Sequence, residues 1–521
     1  MRGHLRKYEA LRSAHNEVCQ KLLAYGINMT QTAYQVLGFD ANPFNSNTAE
    51  REPEIAAYAV HPPYLDRTAQ ATGAGRGAFF LEGARGSGKS ATRLTVAKQL
   101  FVGPGGPLLV SLTGFNVFRP YLKGGISIDL YATQIAFLVA ETLLAWLASL
   151  PPEEQEKAAS RSKSQAGLVS RFISSFYLNR ADHSRSSSAK DTYDLLDTSI
   201  GGRTLAWAEK RWDQIGVAAL TIAGALSKKF ADFDIGDPAG FQKLVEQQRG
   251  DGFHDPLYTL ARAVEVARAF GFTGVVVQID KVDETDWTGA DVAAAADLIL
   301  PLLTNISLHE IDGLTWSFFV WDEVSRWMKR THGSKIRFDK IPNGEIVWQV
   351  NYLTDLVSRR MAFFSAGRIA QLAEMSEVGI DVSGVLPQVI SLTGRSPRQL
   401  ISALDHILSL HIQSTQGNPR KLSLAAYEAG MDSFATKSLA DSGLLEEART
   451  IGKMGLEKFV AKDVQGLIRQ SAPTARGRVD GWIDQRLVHQ CGTRPTGGVG
   501  RPVDEFEVLD PRALRVLHRR L

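Results

Sequence analysis

Cysteine is almost absent from this chain. Two are present in 521 residues, Cys19 and Cys491, far apart. Such a pair forms neither a metal-binding spacing nor a disulfide framework, and it suits a reducing compartment. The N-terminus, MRGHLRKYEALRSAHNEVCQ, lacks an apolar core of the kind a secretory signal needs, so a cytoplasmic protein is expected. Net charge is scarce as well. Lys and Arg number 59 against 56 Asp and Glu, a net +3, which excludes the chain as a whole from the obvious polyanion binders. There is no internal repeat. His254 and His332 stand alone, and no His/Cys cluster, Ser/His/Asp set or paired-carboxylate site is evident.

Long apolar runs are also few. Residues 129–150, DLYATQIAFLVAETLLAWLASL, have the length of a membrane span. Gln134 and Glu141 lie inside it, and a carboxylate near a bilayer centre is costly, so a buried core helix is expected, with a membrane span kept as the alternative. The run 216–226, GVAALTIAGAL, is too short to span and reads as core helix.

What is present suggests several domains, since 521 residues exceed one ordinary core. A helical lead-in occupies 1–74, with a helix at 3–25. Strand character appears at 78–82, 107–112, 274–280, 314–321 and 345–350, with helices at 89–101, 289–304 and 352–412. The alternation predicts an α/β core over 75–350 with a parallel sheet, interrupted by a large helical insertion at about 115–272. A helical lid at 351–440 and a small domain at 441–521 complete the expectation. Residues 151–193 are polar and read as a surface excursion.

Between the strand AFFLE and the helix KSATRLTVAKQLF stands GARGSGKS, residues 83–90. It fits G-x-x-x-x-G-K-[ST] in full, in the strand-to-helix context that gives the motif its meaning. Gly83, Gly86 and Gly88 let backbone N–H groups turn inward around phosphates, with Ala84, Arg85, Ser87 and Ala91 completing the cradle. Lys89 is expected at the β- and γ-phosphates, and the Ser90 hydroxyl at Mg²⁺. Arg85 fills a free position of the motif and is expected to be solvated. The implied ligands are ATP and Mg²⁺.

Hydrolysis also needs a carboxylate at the end of an apolar strand and a group that orients water. GVVVQIDKVDETD, 274–286, supplies both. Asp280 ends the strand and is the candidate for the metal shell. Asp283 and Glu284 are the candidates for polarising water, Glu284 first.

The pattern apolar run, Asp, one residue, apolar, Asp-Glu resembles the Walker B motif of the NACHT, wider STAND and KAP-type P-loop NTPases. Lys281 departs from the glycine usual there in NACHT proteins, and from the Asp-Glu ending of simpler AAA+ ATPases. Resemblance to the AAA+/STAND superfamily, over about 75–112 and 270–412, carries further implications. Asp322, after the strand 314–321, would be a polar sensor. Arg337 in KIRFDKI would be an arginine finger, with Arg330 second. Arg398 (or Arg395) in SLTGRSPRQLISAL would reach the nucleotide from a helix like that of Orc-type and STAND lids. Homo-oligomers forming on ATP binding and a separately encoded effector are also implied. Such ATPases resemble bacterial switch proteins, including those of anti-phage defence.

From 456 onward the chain reads helix, turn, helix, strand, glycine-rich basic tip, strand, which looks like a winged helix. Residues 451–521 hold thirteen Lys and Arg against eight Asp and Glu. In a DNA-binding version Arg476 and Arg478 would face the major groove, and Arg494 and Arg501 would lie on the wing. In the STAND version the module packs internally. Three readings stay open: an ATP-driven switch, a DNA-binding loader or transposition helper, and a non-hydrolysing nucleotide-bound scaffold.

Overall fold

A computed structural model describes residues 32–178, 255–416, 421–495 and 501–521, apart from 47, 49–51, 53, 54 and 290. The expected helices at 3–25 and 216–226, most of the polar stretch 151–193 beyond 178, His254 and the tip of the basic wing lie outside the described residues. The chain divides into two compact units. One comprises 46–356 with 395–400; the other comprises 1–45, 357–394 and 401–521.

In the first unit, α1 (Pro63–Thr72) leads into β1 (Gly77–Gly83). There follow α2 (Lys89–Leu100), β2 (Leu108–Leu112), α3 (Ile128–Ser149), α4 (Pro152–Ser162), α5 (Ala166–Ile173), α6 (Pro256–Ala269), β3 (Val275–Ile279), α7 (Val292–Thr304), β4 (Leu314–Trp321), α8 (Asp322–His332) and β5 (Asn343–Glu345). The fold is mixed α/β. Its five strands form an all-parallel sheet in the order β2-β3-β4-β1-β5. Strands covered on both faces read as unbroken apolar runs, and β3, VVVQI, is buried at every residue. Parallel pairing brings all the strand ends to one edge. Gly83 pairs with Trp321 and Ile279 with Phe318, so the loops after β1, β3 and β4 emerge side by side. That edge is where ligands bind in open α/β sheets.

The helix α3 is long and apolar enough to cross a membrane, yet 89% of its apolar window is buried inside the protein. Ser127 caps it, and it packs against β2 and α6. Glu141 and Gln134 are buried within it. A helix apolar on every side is explained by neighbours on every side. α1, assigned from sequence to the lead-in, packs on β1, β5 and α2.

The fifth strand is shorter than expected and starts earlier, at Asn343 rather than Glu345. The Ile346 N–H still donates to Glu82 O of β1 at 2.8 Å, and beyond it the chain leaves the sheet. Ile346 joins Phe79, Leu81 and Phe319 in a small apolar cluster, and Trp348 turns toward the loop after β1.

α9 (Val350–Phe364) carries the chain from the first unit into the second. The helical stretch expected over 352–412 is broken. Gly367 and Gly379 adopt positive φ between α9 and α10 (Val385–Leu392), and α11 (Pro397–Ser414) follows. The second unit continues with α12 (Leu424–Asp441), α13 (Leu445–Met454), β6 (Lys458–Val460), α14 (Ala461–Ile468), α15 (Ala472–Asp484), β7 (Val488–Arg494), β8 (Val503–Val508) and α16 (Pro511–Arg519). The three strands form an antiparallel sheet, β6-β8-β7. Its core gathers Leu439 from α12, Ile451 from α13, Trp482 from α15 and Val516 from α16, so α12 shares one core with the elements that follow it.

Candidate active site

The loop after β1 is shaped by its glycines. A Cβ on Gly83 would lie 2.6 Å from Ser87 Oγ and 3.0 Å from Ile346 Cβ, so no larger residue fits. Gly86 (φ 74°) and Gly88 (φ 94°) hold left-handed backbone that side chains resist. α2 begins at Lys89 with no side chain capping it, so its first-turn amides and positive dipole end remain available at the loop. Lys89 Nζ donates to the loop's own carbonyls, Gly83 O at 3.0 Å and Ala84 O at 3.1 Å. Burial pushes its pKa down, while Asp283, Asp280, Asp322 and Glu284 pull it back up. The Ser87 hydroxyl is buried with no hydrogen-bond partner. A half-buried ammonium resting on carbonyls beside an unsatisfied hydroxyl is an arrangement that can take an anion.

The acidic segment lies next to this loop, and arginines from the loop and from α2 hold it. Asp280, 1% exposed, accepts from Arg93 Nε at 3.1 Å and from the Lys281 N–H at 2.9 Å. Arg93 stands one helical turn after Lys89 and also donates to Ser111 Oγ of β2 at 3.0 Å. Asp283, 5% exposed, accepts from Arg85 Nε at 2.9 Å, and Arg85 Nη2 donates to the Asp283 carbonyl at 3.1 Å. The Arg85 guanidinium lies 4.1 Å over the ring of Trp321, the last residue of β4. Arg85 is exposed, as expected of a free position, and is at the same time a partner of the acidic segment. Glu284 is exposed. Lys281, the departure from glycine, takes φ 63°, the left-handed conformation a glycine would adopt freely.

Two further segments touch the loop. The Arg398 N–H donates to Gly86 O at 3.3 Å, and Ser396 Oγ reaches the same carbonyl at 3.5 Å. A Cβ on Gly86 would stand 3.1 Å from Arg398 Cβ. The start of α11 thus sits on the loop, with the Arg398 side chain exposed. Arg395 beside it adopts φ 60°. Trp348 Nε1 donates to Ser87 O at 2.7 Å, with Tyr64 edge-on to its ring at 6.2 Å. Asp322 starts α8 and pairs with Arg326 at 2.7 Å. Arg337 is exposed and bonds Asp339, two residues on, at 2.8 and 2.6 Å, and the pair holds the Arg337 pKa up and the Asp339 pKa down. Neither Arg93 nor Trp348 was legible as a site residue. Each is one residue in an ordinary helix or extended segment, and only the fold brings it to the loop.

In the second unit three of the four arginines singled out for DNA form ion pairs. Arg476 donates to Asp504 at 2.8 Å and Asp480 at 3.1 Å and lies over Phe506. Arg478 grips Glu447 with two bonds of 2.9 and 3.1 Å. Two positions apart on α15, they point to different sides. Arg494 pairs with Glu505 at 2.6 Å, and Arg501 is exposed just before β8.

Among the described residues no group of three or more His, Cys, Asp or Glu could hold a metal by itself. Ser90 stands at the end of the loop, in the first turn of α2, and Asp280 directly follows the apolar strand β3. No protein-family model matches the sequence, and no curated protein is significantly similar to it.

Proposed function

We infer that this chain binds ATP at Gly83–Ser90 and hydrolyses it slowly, as a switch that acts through nucleotide-dependent assembly. One observation carries the reading. Lys89 rests on the carbonyls of its own glycine loop, beside the buried, unpartnered Ser87 hydroxyl, at the strand edge shared with Asp280. A polyphosphate offers the hydroxyl an acceptor and the ammonium anionic oxygens in place of the loop carbonyls.

Mg²⁺ fits as a partner of the phosphates. Ser90 and Asp280 would hold it, and when bound it neutralises charge on the phosphate oxygens. The chain's own residues supply the rest. Lys89 leaves the loop carbonyls for phosphate oxygens. Glu284, exposed beside two carboxylates that arginines already engage, orients the attacking water. Arg398, at the loop through its backbone, stabilises transition-state charge from within the same chain. Arg337, solvent-exposed, would do so from a neighbouring copy. Slow turnover is favoured by the grip of Arg93 on Asp280, which must loosen before the carboxylate serves a metal shell. A separately encoded effector and a role in anti-phage defence remain part of the proposal. The internal pairing of Arg476, Arg478 and Arg494 supports a C-terminal module, of winged-helix type, that packs within its own unit and does not read DNA.

The test is single-turnover ATP hydrolysis and native mass with and without ATP, for wild type, Lys89→Ala, Glu284→Gln and Asp283→Asn. Lys89→Ala should lose binding and assembly. Glu284→Gln should bind but lose turnover by roughly 10²–10⁴-fold, the range for a positioned base. Hydrolysis surviving in Glu284→Gln but not in Asp283→Asn would reverse the assignment. A wild type that binds ATP without turnover would leave the scaffold reading.

A further inference from the structure

The phosphate loop is tied at three successive residues to three different segments of the same unit. The Ser87 carbonyl accepts from Trp348, the Gly86 carbonyl from the Arg398 N–H, and the Arg85 side chain holds Asp283. Of these ties, only Arg85 ends on the acidic segment. Its contact is unusually complete. Nε binds the carboxylate, Nη2 binds the main-chain carbonyl of the same residue, and the guanidinium plane lies on Trp321. Two parallel donors on one residue and a stacked face fix orientation as well as distance, which an ammonium cannot do.

The segment that Arg85 grips is itself a firm turn. The Glu284 N–H donates to Lys281 O at 3.2 Å, the Thr285 and Thr288 hydroxyls bond at 2.7 Å, and the Gly289 N–H donates to Thr285 O at 3.1 Å. A displacement of Asp283 would be carried by the turn that holds Glu284. Asp283 is itself buried, so it cannot exchange the guanidinium for water without cost.

We propose that Arg85 is a positioning residue that couples occupancy of the phosphate loop to the acidic turn 281–289 through its two-point grip on Asp283. The coupling rests on the nucleotide reading above, but the grip itself does not. When anions draw the loop's backbone N–H groups inward, the guanidinium moves with the loop and the turn follows, so Glu284 is set by the state of the loop. Without Arg85 the loop and the turn respond separately.

Hydrogen–deuterium exchange on the full chain tests this, in wild type, Arg85→Ala and Arg85→Lys. Each is measured alone and with Mg²⁺ and a non-hydrolysable ATP analogue. Without nucleotide, both variants should exchange faster than wild type over 281–289, by roughly tenfold, as loss of a charge-assisted pair allows. Residues 275–279 of β3 should be unaffected. With the analogue, 84–91 should be protected in all three proteins, and 281–289 should respond in wild type alone. Unchanged exchange over 281–289 in nucleotide-free Arg85→Ala would overturn the grip. An undiminished nucleotide response there in either variant would overturn the coupling. If Arg85→Ala also loosens β3, Arg85→Lys decides, because it keeps the charge and loses the geometry. Absence of protection over 84–91 in wild type would sink the nucleotide reading and the coupling with it. The nucleotide-free comparison would still decide whether Arg85 holds the turn.

Discussion

Lys281 shows how one residue can break a sequence pattern and still obey its backbone. It stands where the motifs that this segment resembles carry glycine, and its φ of 63° is the angle for which glycine is used. A side chain there is strained by about 1–2 kcal/mol, partly offset because glycine loses more entropy on folding. Lys281→Gly should therefore raise stability by up to about 1 kcal/mol, whereas Lys281→Ala should bring no gain. Urea unfolding at constant slope checks both, and a gain in the alanine variant would show that the lysine side chain and not φ is responsible. The buried Asp280–Arg93 pair makes the complementary point. Asp280 was legible because an acid ends an apolar strand. Arg93 was not, because an arginine four residues after Lys89 in a helix looks like any surface charge.

At the scale of elements, the parallel strands were readable and their limits less so. β3 and β4 are apolar runs covered on both faces, so their composition identifies them. β5 was misplaced because Ile346 and Trp348 look like strand residues but pack on the glycine loop and its neighbours. α3 carries the length and hydropathy of a membrane span, and only its burial against β2 and α6 explains its composition. α16 illustrates a contact that no local pattern announces. Arg515, 12% exposed, binds Glu428 and Asp432 of α12, each at 2.6 Å. Arg515→Met keeps the bulk but takes that cation from the half-buried Glu428 and leaves Asp432 only its longer pair with Arg519, a loss of about 2 kcal/mol. The midpoint of urea unfolding should fall accordingly. A change below about 0.5 kcal/mol would mean that Val516 and Leu517 alone hold the helix.

For the whole molecule, a ligand that binds only the folded loop must raise its stability by mass action. At a hundredfold excess over Kd, ATP with Mg²⁺ should add about 2.7 kcal/mol to the unit containing the loop. Thermal unfolding should record an upward shift that Lys89→Ala abolishes. The same shift in Lys89→Ala would place the nucleotide elsewhere. Two cores, one around the parallel sheet and one around Trp482, make it informative to follow which transition moves.

The sequence by itself determined the glycine loop, its strand-to-helix setting, the acid that ends β3 and, in the C-terminal module, the run α14, α15, β7, β8, but neither β6 nor α16. These are local properties: glycine angles, apolar runs and motif spacing act within a few residues. Tertiary structure alone decided which carboxylate is engaged and by whom. Asp283 goes to Arg85 across 198 positions, and Asp280 to Arg93 across 187. Only the arginine that the fold delivers decides how a buried charge is paired, and nothing in the residues flanking either acid encodes that partner.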